Sequence, residues 1–432
     1  MNSPQEPHSW RSNWFDLRSG EVRAFAWAAV WFFCVLASYY VIRPIREVYG
    51  VSFSPAELTR SFATTLAAMV VAAPLYAALV AMVPRRALAP VLYSFFALNL
   101  IAFRLAIGGI AGEPPLWLRW AFFVWLSVFN LYVVTLFWSN AVELFTGEQG
   151  KRLFGLIAAA GSLGSIAGSQ VFKLLASSRR PQDSLLISAA LLMAALACSM
   201  GLRRAATPGA GPPSAPTSWQ TIWGGAADLL RSPYLAGIGL WIVMASICAT
   251  GVYLQMLDLV KEQIADNAKR GAWFADLNTY QNLLTLFGQA IGAGWLMRTV
   301  GVGAALAAGP LVYLSGFTLI GLGYASLPLL GTFDVAQRFA GFAFGVPGRE
   351  VLFTAVAPAE KYRAKAFADT VLQRAGGSGA AYCYQVWTTA GHAVSSAAWV
   401  ILPLAMAMTG LSFGLGAAFQ RRSTSTQGEL AR

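Results

Sequence analysis

Charge is scarce in this chain. Asp, Glu, Lys and Arg make up 12% of its 432 residues, against 57% hydrophobic ones. No polar stretch is long enough to fold as a soluble domain, so nearly all the mass belongs in lipid. Histidine is scarcer still, with two in the whole chain. His8 lies in the polar N-terminal segment and His392 follows an apolar run alone, so neither belongs to a ligand cluster. The four cysteines (Cys34, Cys198, Cys248 and Cys383) each sit inside an apolar run without paired spacing. They read as packing residues rather than a disulfide or metal framework. There is no GxxxxGK[ST] run and no His-Glu-x-x-His string, so neither ATP hydrolysis nor zinc peptidase chemistry is indicated. No cofactor is expected.

What is there is hydrophobic length. Runs of about twenty residues, long enough to cross a bilayer, centre near residues 33, 72, 98, 127, 165, 192, 244, 284, 314, 336, 377 and 405. The first reads AFAWAAVWFFCVLASYYVI over 24–42. Backbone groups in hydrocarbon must bond internally, and the runs are continuous rather than alternating, so the spans are helices. The net charge of +12 invites a nucleic-acid reading. The basic residues are instead dispersed at span ends, which excludes it. No cleavable signal is expected, because residues 1–20 are polar and the first run is long enough to remain as a span. Trp and Tyr are expected mostly as interfacial anchors.

One compositional break interrupts the series. Residues 203–220, RRAATPGAGPPSAPTSWQ, cannot build a core and read as an exposed linker. The expected organisation is therefore a tail over 1–20, a six-helix half over 21–202, a linker over 203–220, a second half over 221–420 and a tail over 421–432. Basic residues are in excess on the side that holds Arg85, Arg86, Lys151, Arg152, Arg203 and Arg204, which places both termini in the cytoplasm. A short repeat links the halves: Glu143-Leu-Phe-Thr146 precedes Lys151-Arg152, and Glu350-Val-Leu-Phe-Thr354 precedes Lys361-Tyr-Arg363. Parallel six-span repeats around a central cavity describe a major facilitator-type architecture. The expected fold class is thus an all-α polytopic membrane protein of about twelve transmembrane helices in two six-helix halves.

Charges inside spans mark function, because each costs about 2.5–3.5 kcal/mol on insertion scales unless paired or hydrated. Arg43 and Arg46 close the first span, three residues apart on one helical face, and can grip a di-anion by forked hydrogen bonds. The bland alternative is that they snorkel to the interface. Arg104 lies mid-span without an acid nearby in sequence and reads as a partner for an acid on another helix. Asp334 and Arg338, four apart, suit an intrahelical ion pair. The richest segment is Gly348 to Gly379, with Arg349, Glu350, Lys361, Arg363, Lys365, Asp369 and Arg374. Lys365, Asp369 and Arg374 read as cavity-lining, and Lys361 and Arg363 as positive-inside anchors. Glycines 376, 377 and 379, like Gly161, Gly164 and Gly168 in the fifth span, let helices approach closely. Asn130, Asn278, Gln281, Asn282 and Gln289 could hydrogen-bond a polar solute or simply a neighbouring helix.

Three stretches carry a resemblance: YYVIRPIREVYG (39–50), FWSNAVELFTGEQGKRLFGLIAAAGSLGSIAGS (137–169) and GREVLFTAVAPAEKYRAKAFADTVLQRAGGSG (348–379). In that order they resemble the ATP:ADP antiporter (Tlc-type nucleotide transporter) family, a branch of the major facilitator fold. The motifs cover about a quarter of the length. The resemblance implies nucleotide exchange without hydrolysis, with Arg349 and Glu350 matching a basic–acidic pair before the eleventh span. Lys365 and Asp369 match the family's KxKAxxD-like string. Where the family carries carboxylates in the fourth and seventh spans, this chain has Leu126 and Gln255.

These readings converge on a secondary transporter of an organic anion, with nucleotide exchange heading the list and proton-coupled symport of another small polar solute as the alternative. Arg43, Arg46, Asn130, Arg349, Lys365 and Arg374 are the candidate substrate residues. Glu143, Asp334, Arg338, Glu350 and Asp369 are candidates for coupling or ion pairing. The expected partners are the lipid bilayer and a small anionic substrate, not nucleic acid, and the expected state is a monomer in the bacterial inner membrane. A membrane-embedded enzyme or a non-transporting scaffold is less favoured, since the first lacks a nucleophile or metal cluster and the second a soluble partner domain.

Overall fold

The structure, a computed structural model, describes residues 21–110, 112–178, 180–205, 219–289 and 293–430. The tail over 1–20 and most of the linker, 206–218, lie outside the described residues. Among those described there is no strand, and nine helices are long and apolar enough to cross a membrane. They are α1 (Val22–Ser52), α2 (Pro55–Met82), α3 (Arg85–Gly108), α4 (Leu116–Leu144), α5 (Gly147–Ser177), α6 (Ser184–Ala205), α8 (Pro233–Gln263), α11 (Val302–Gly321) and α16 (Ala397–Leu430). Between α6 and α8 a short helix, α7 (Trp219–Arg231), follows the linker.

Of the three remaining expected spans, two carry π-turns and the third is described as two helical pieces on either side of residues 290–292, which lie outside the described residues. The one near 284 is α9 (Asn267–Phe287) followed by α10 (Ala293–Thr299). That near 336 is α12 (Leu327–Ala340), a π-turn over Gly341–Gly345 and α13 (Val346–Leu352). That near 377 is α14 (Pro358–Phe367), a π-turn over Ala368–Leu372 and α15 (Gln373–Thr389). In each turn a backbone N–H reaches back five residues, Val346 to Gly341 and Gln373 to Ala368. The extra residue rotates everything that follows by about 100° relative to an unbroken helix. These spans also carry most of the polar side chains expected inside the C-terminal part of the chain.

Two features depart from expectation. The first span does not end near Ile42; α1 continues through Pro44 to Ser52, so Arg43 and Arg46 lie well inside a helix rather than at its interfacial end. Pro44 lies inside this helix, a position that helices in a membrane bundle tolerate. Second, Trp and Tyr are not all interfacial. Trp31 and Tyr93 are wholly buried, with the Trp31 indole N–H donating to the Tyr93 hydroxyl at 2.8 Å. Trp31 also meets Phe137 edge-on at 5.1 Å, and Phe96 meets Phe129 at 5.3 Å. A buried ring with a satisfied polar tip contributes more to packing than an anchor does.

Five of the six glycines expected to bring helices together do so; Gly379 is the exception, with nothing within 4 Å of an added Cβ. A Cβ at Gly164 would stand 2.3 Å from the Phe33 carbonyl oxygen, and one at Gly168 2.5 Å from that of Ala37. These positions pack α5 against α1 backbone to backbone. The sequence repeat has a structural counterpart too. Arg152 on α5 pairs with Glu21 just before α1 at 2.9 Å, and Arg363 on α14 pairs with Asp228 on α7, just before α8, at 2.8 Å. Arg104 finds its acid in Asp183, at 2.9 Å, in the turn leading into α6. All four cysteines are free, and Cys383 is exposed.

Gly164→Val should destabilise the purified protein by about 1–3 kcal/mol through overpacking, read as a lower thermal midpoint. Gly155→Ala, where nothing lies within 4 Å of the added carbon, should leave the midpoint within error of the native protein.

Candidate functional site

A cavity of about 380 Å³ opens between α1, α2 and α4 on one side and α8, α11, α12 and α15 on the other. Five arginines line it (Arg43, Arg46, Arg338, Arg349 and Arg374) against two carboxylates, Glu47 and Asp334. Aromatic rings supply much of the remaining wall, among them Phe62, Phe123, Trp241, Tyr253, Tyr313 and Phe342. A charged lining inside an apolar bundle is costly unless the charges are paired or meet a solute.

The pairing is incomplete. On α1, Arg43 Nε and Arg46 Nη1 each approach Glu47 Oε1 to 3.6 Å, an ion-pair distance beyond hydrogen bonding. The Arg46 guanidinium lies 4.0 Å from the centre of the Phe123 ring, and Arg43 lies 5.3 Å from that of Tyr40. Neither Nε has a hydrogen-bond acceptor. Across the cavity, Arg338 Nε meets Asp334 Oδ1 at 3.1 Å. The same carboxylate oxygen accepts from Gln337 at 3.2 Å, and Tyr313 donates to Gln337 at 2.9 Å. Asp334 Oδ2 is buried without a partner. Arg374 lines the cavity with no hydrogen bond or ion pair among the described residues.

The remaining sequence candidates are placed elsewhere. Arg349 reaches the cavity wall but pairs with Asp369 at 3.0 Å, while Lys365 pairs with Glu350 at 2.7 Å. This four-charge group ties α13 to α14 and its π-turn, and Lys365, Glu350 and Asp369 do not line the cavity. The π-turn over 368–372 shifts the phase of the side chains beyond it; Asp369, within the turn, meets Arg349, and Arg374, beyond it, lines the cavity. Glu143 lies in a second hollow of about 250 Å³, where it holds Arg85 at 2.8 Å. Arg203 hydrogen-bonds Asn140 in the same hollow. Asn130 lines neither hollow. Leu126 is fully buried, and Gln255 is buried with both amide atoms unpartnered.

The sequence sets Glu47 beside Arg43 and Arg46 at the end of the first run without assigning it a role, and it assigns none to Tyr253. Glu47 follows Arg43 by four positions, the spacing that drew attention to Asp334 and Arg338, and that signal was available.

At the end of the bundle where α1 and α5 finish and α2 and α9 begin, helices from the two sides are tied together. Lys173 grips both oxygens of Asp276 at 2.7 and 2.8 Å, and Gln170 donates to Thr279 at 2.8 Å. Thr59 donates to the Ala381 carbonyl at 3.0 Å, and Ser378 to that of Phe62 at 3.1 Å.

This is the major facilitator fold. The chain is similar to the nucleoside transporter NupG, at 14% identity over 93% of this chain and 99% of that one, with a TM-score of 0.63. It is similar to a D-xylose-proton symporter, at 15% identity over 91% and 97%, TM-score 0.62. It is also similar to a bacterial homolog of the human lysosomal transporter Spinster in an inward-facing, unoccupied conformation, at 11% identity over 94% and 98%, TM-score 0.55. At such identities the likeness is one of fold. No family model matches the chain, and no curated protein matches it by sequence. The protein is an integral, multi-pass membrane protein.

Arg338→Ala leaves Asp334 buried and uncompensated, and should cost about 3–5 kcal/mol of stability. Adding Asp334→Ala should recover part of that loss. A double variant less stable than either single one would show that the two do not act as a pair.

Proposed function

We propose that the protein is a secondary transporter of a small organic anion, carried across the membrane by alternating access between two six-helix halves. The single observation that carries this reading is the cavity between α1 and α8, where five arginines face two carboxylates and Arg374 has no partner among the described residues. A guanidinium held in a bundle without a counter-ion is poised for an anionic solute. The halves correspond to residues 21–202 and 221–420, joined by the segment 203–220, with both termini on the cytoplasmic side of a bacterial inner membrane. The ties between α5 and α9 and between α2 and α15 then close the cavity on the outer side. Alternation requires them to break while contacts form at the opposite end.

Within the anion class, a nucleotide leads. The motifs over 39–50, 137–169 and 348–379 support it through their resemblance to the ATP:ADP antiporters, and the rings around the cavity suit a planar base. Proton-coupled symport is a second reading, favoured by Asp334, whose free Oδ2 offers a protonation site at the cavity wall.

Thermal-shift screening of the purified protein against nucleotides, sugar phosphates, organic acids and neutral nucleosides tests the class, followed by counterflow in proteoliposomes. Anions should raise the midpoint, and Arg374→Ala should weaken their binding at least about tenfold and abolish counterflow. Stabilisation by neutral solutes alone, with Arg374→Ala transporting normally, would overturn the anion assignment.

A further inference from the structure

Glu47 is only 2% exposed and stands where three groups converge. Its Oε1 is shared by Arg43 and Arg46, each at 3.6 Å. Its Oε2 accepts the Tyr253 hydroxyl at 2.6 Å. That last bond crosses the cavity from α1 to α8, and Gly50 makes room for it, since a Cβ there would stand 3.0 Å from the Tyr253 hydroxyl oxygen. All four of Arg43, Arg46, Glu47 and Tyr253 line the cavity.

We propose that Glu47 is a resident counter-ion that the transported anion displaces, and that its bond to Tyr253 is a latch between the halves released by that displacement. The inference rests on the anion reading above for the displacement and on the geometry alone for the latch. The contrast between the two oxygens is the argument. The arginine contacts are too long to be hydrogen bonds, and both Nε donors are unsatisfied, so an oxyanion that reaches them gains bonds that Glu47 does not make. The Tyr253 contact is short and charge-assisted. It lasts while the carboxylate stays between the arginines and α8. Once a second anion enters, like-charge repulsion in a low-dielectric site drives the carboxylate away from its place. Substrate binding is thereby converted into loss of a contact between halves, which is the differential interaction a conformational change requires.

Two variants and two measurements test this. Calorimetric titration with ATP and with inorganic phosphate should show Glu47→Gln binding roughly tenfold more tightly than the native protein, because the competing charge is gone. Tyr253→Phe should also bind more tightly than native, by less than Glu47→Gln, because displacement no longer has to break the bond to Tyr253. The second measurement needs no ligand. Spin labels at Ser177→Cys on α5 and Lys269→Cys on α9, in a Cys383→Ala background, report the separation of the tied ends. In the absence of ligand, Glu47→Gln and Tyr253→Phe should both broaden that distance distribution toward longer values. If the native protein binds neither probe, the displacement half of the inference is overturned along with the anion reading for these probes, and the label distances still decide the latch. Unchanged label distances in both variants would overturn the latch. Anion binding by Glu47→Gln no tighter than native would overturn the resident counter-ion.

Discussion

A charge in the interior of a lipid-embedded bundle must find a partner, and this chain supplies more cations than anions to do it. That shortage shapes the centre of the molecule. Away from the cavity several cations are matched by acids: Arg104 by Asp183, Arg152 by Glu21, Arg363 by Asp228, Lys365 by Glu350. These pairs close turns and dock short segments onto spans. Around the cavity the matching runs out. One carboxylate serves two arginines at 3.6 Å, and Arg374 is served by none among the described residues. Since unpaired charge is expensive in such surroundings, its concentration at one place is what makes that place a site.

The backbone irregularities serve the same end. The spans near 336 and 377 each carry a π-turn beside an ion pair. A π-turn re-aims the side chains beyond it without ending the helix. After Gly341–Gly345, Arg349 is turned toward Asp369 as well as the cavity wall. After Ala368–Leu372, Arg374 is turned inward. Close glycine contacts complete the arrangement, since Gly376 and Gly377 sit against Val243, Ser246 and Thr250 of α8. The polar helices are thus held near enough to face one another across a narrow space.

The functional reading combines two sources of different reach. Likeness to solved transporters at 11–15% identity establishes the fold and says nothing of the solute. The solute class comes from the cavity's own chemistry, an arginine-rich wall with aromatic faces. Leu126 and Gln255 bear on the nucleotide reading in a definite way. Neither lines the cavity; Leu126 is packed in the core of the α4 side, and Gln255 is buried on α8. Carboxylates there would not face a solute in this conformation, so their replacement removes no cavity charge from it.

Much of the fold was legible in the sequence because lipid leaves few choices. Long apolar runs must be helices, and small residues at Gly161, Gly164 and Gly168 announce a close neighbour. The candidate site was half legible, and for the same reason: Arg43, Arg46, Asp334, Arg338, Arg349 and Arg374 stand out as charges where charge is costly. What the sequence could not decide is which of those charges cancel. Asp276 finds Lys173, Glu47 finds Tyr253, and Asp369 finds Arg349 only once helices distant in the chain are packed together. A one-residue π-turn, invisible to an α-helical period, determines which face of the last polar helix meets the cavity. Hydrophobicity is a local property and is written along the chain. Charge balance is a property of space, and only the tertiary structure settles it.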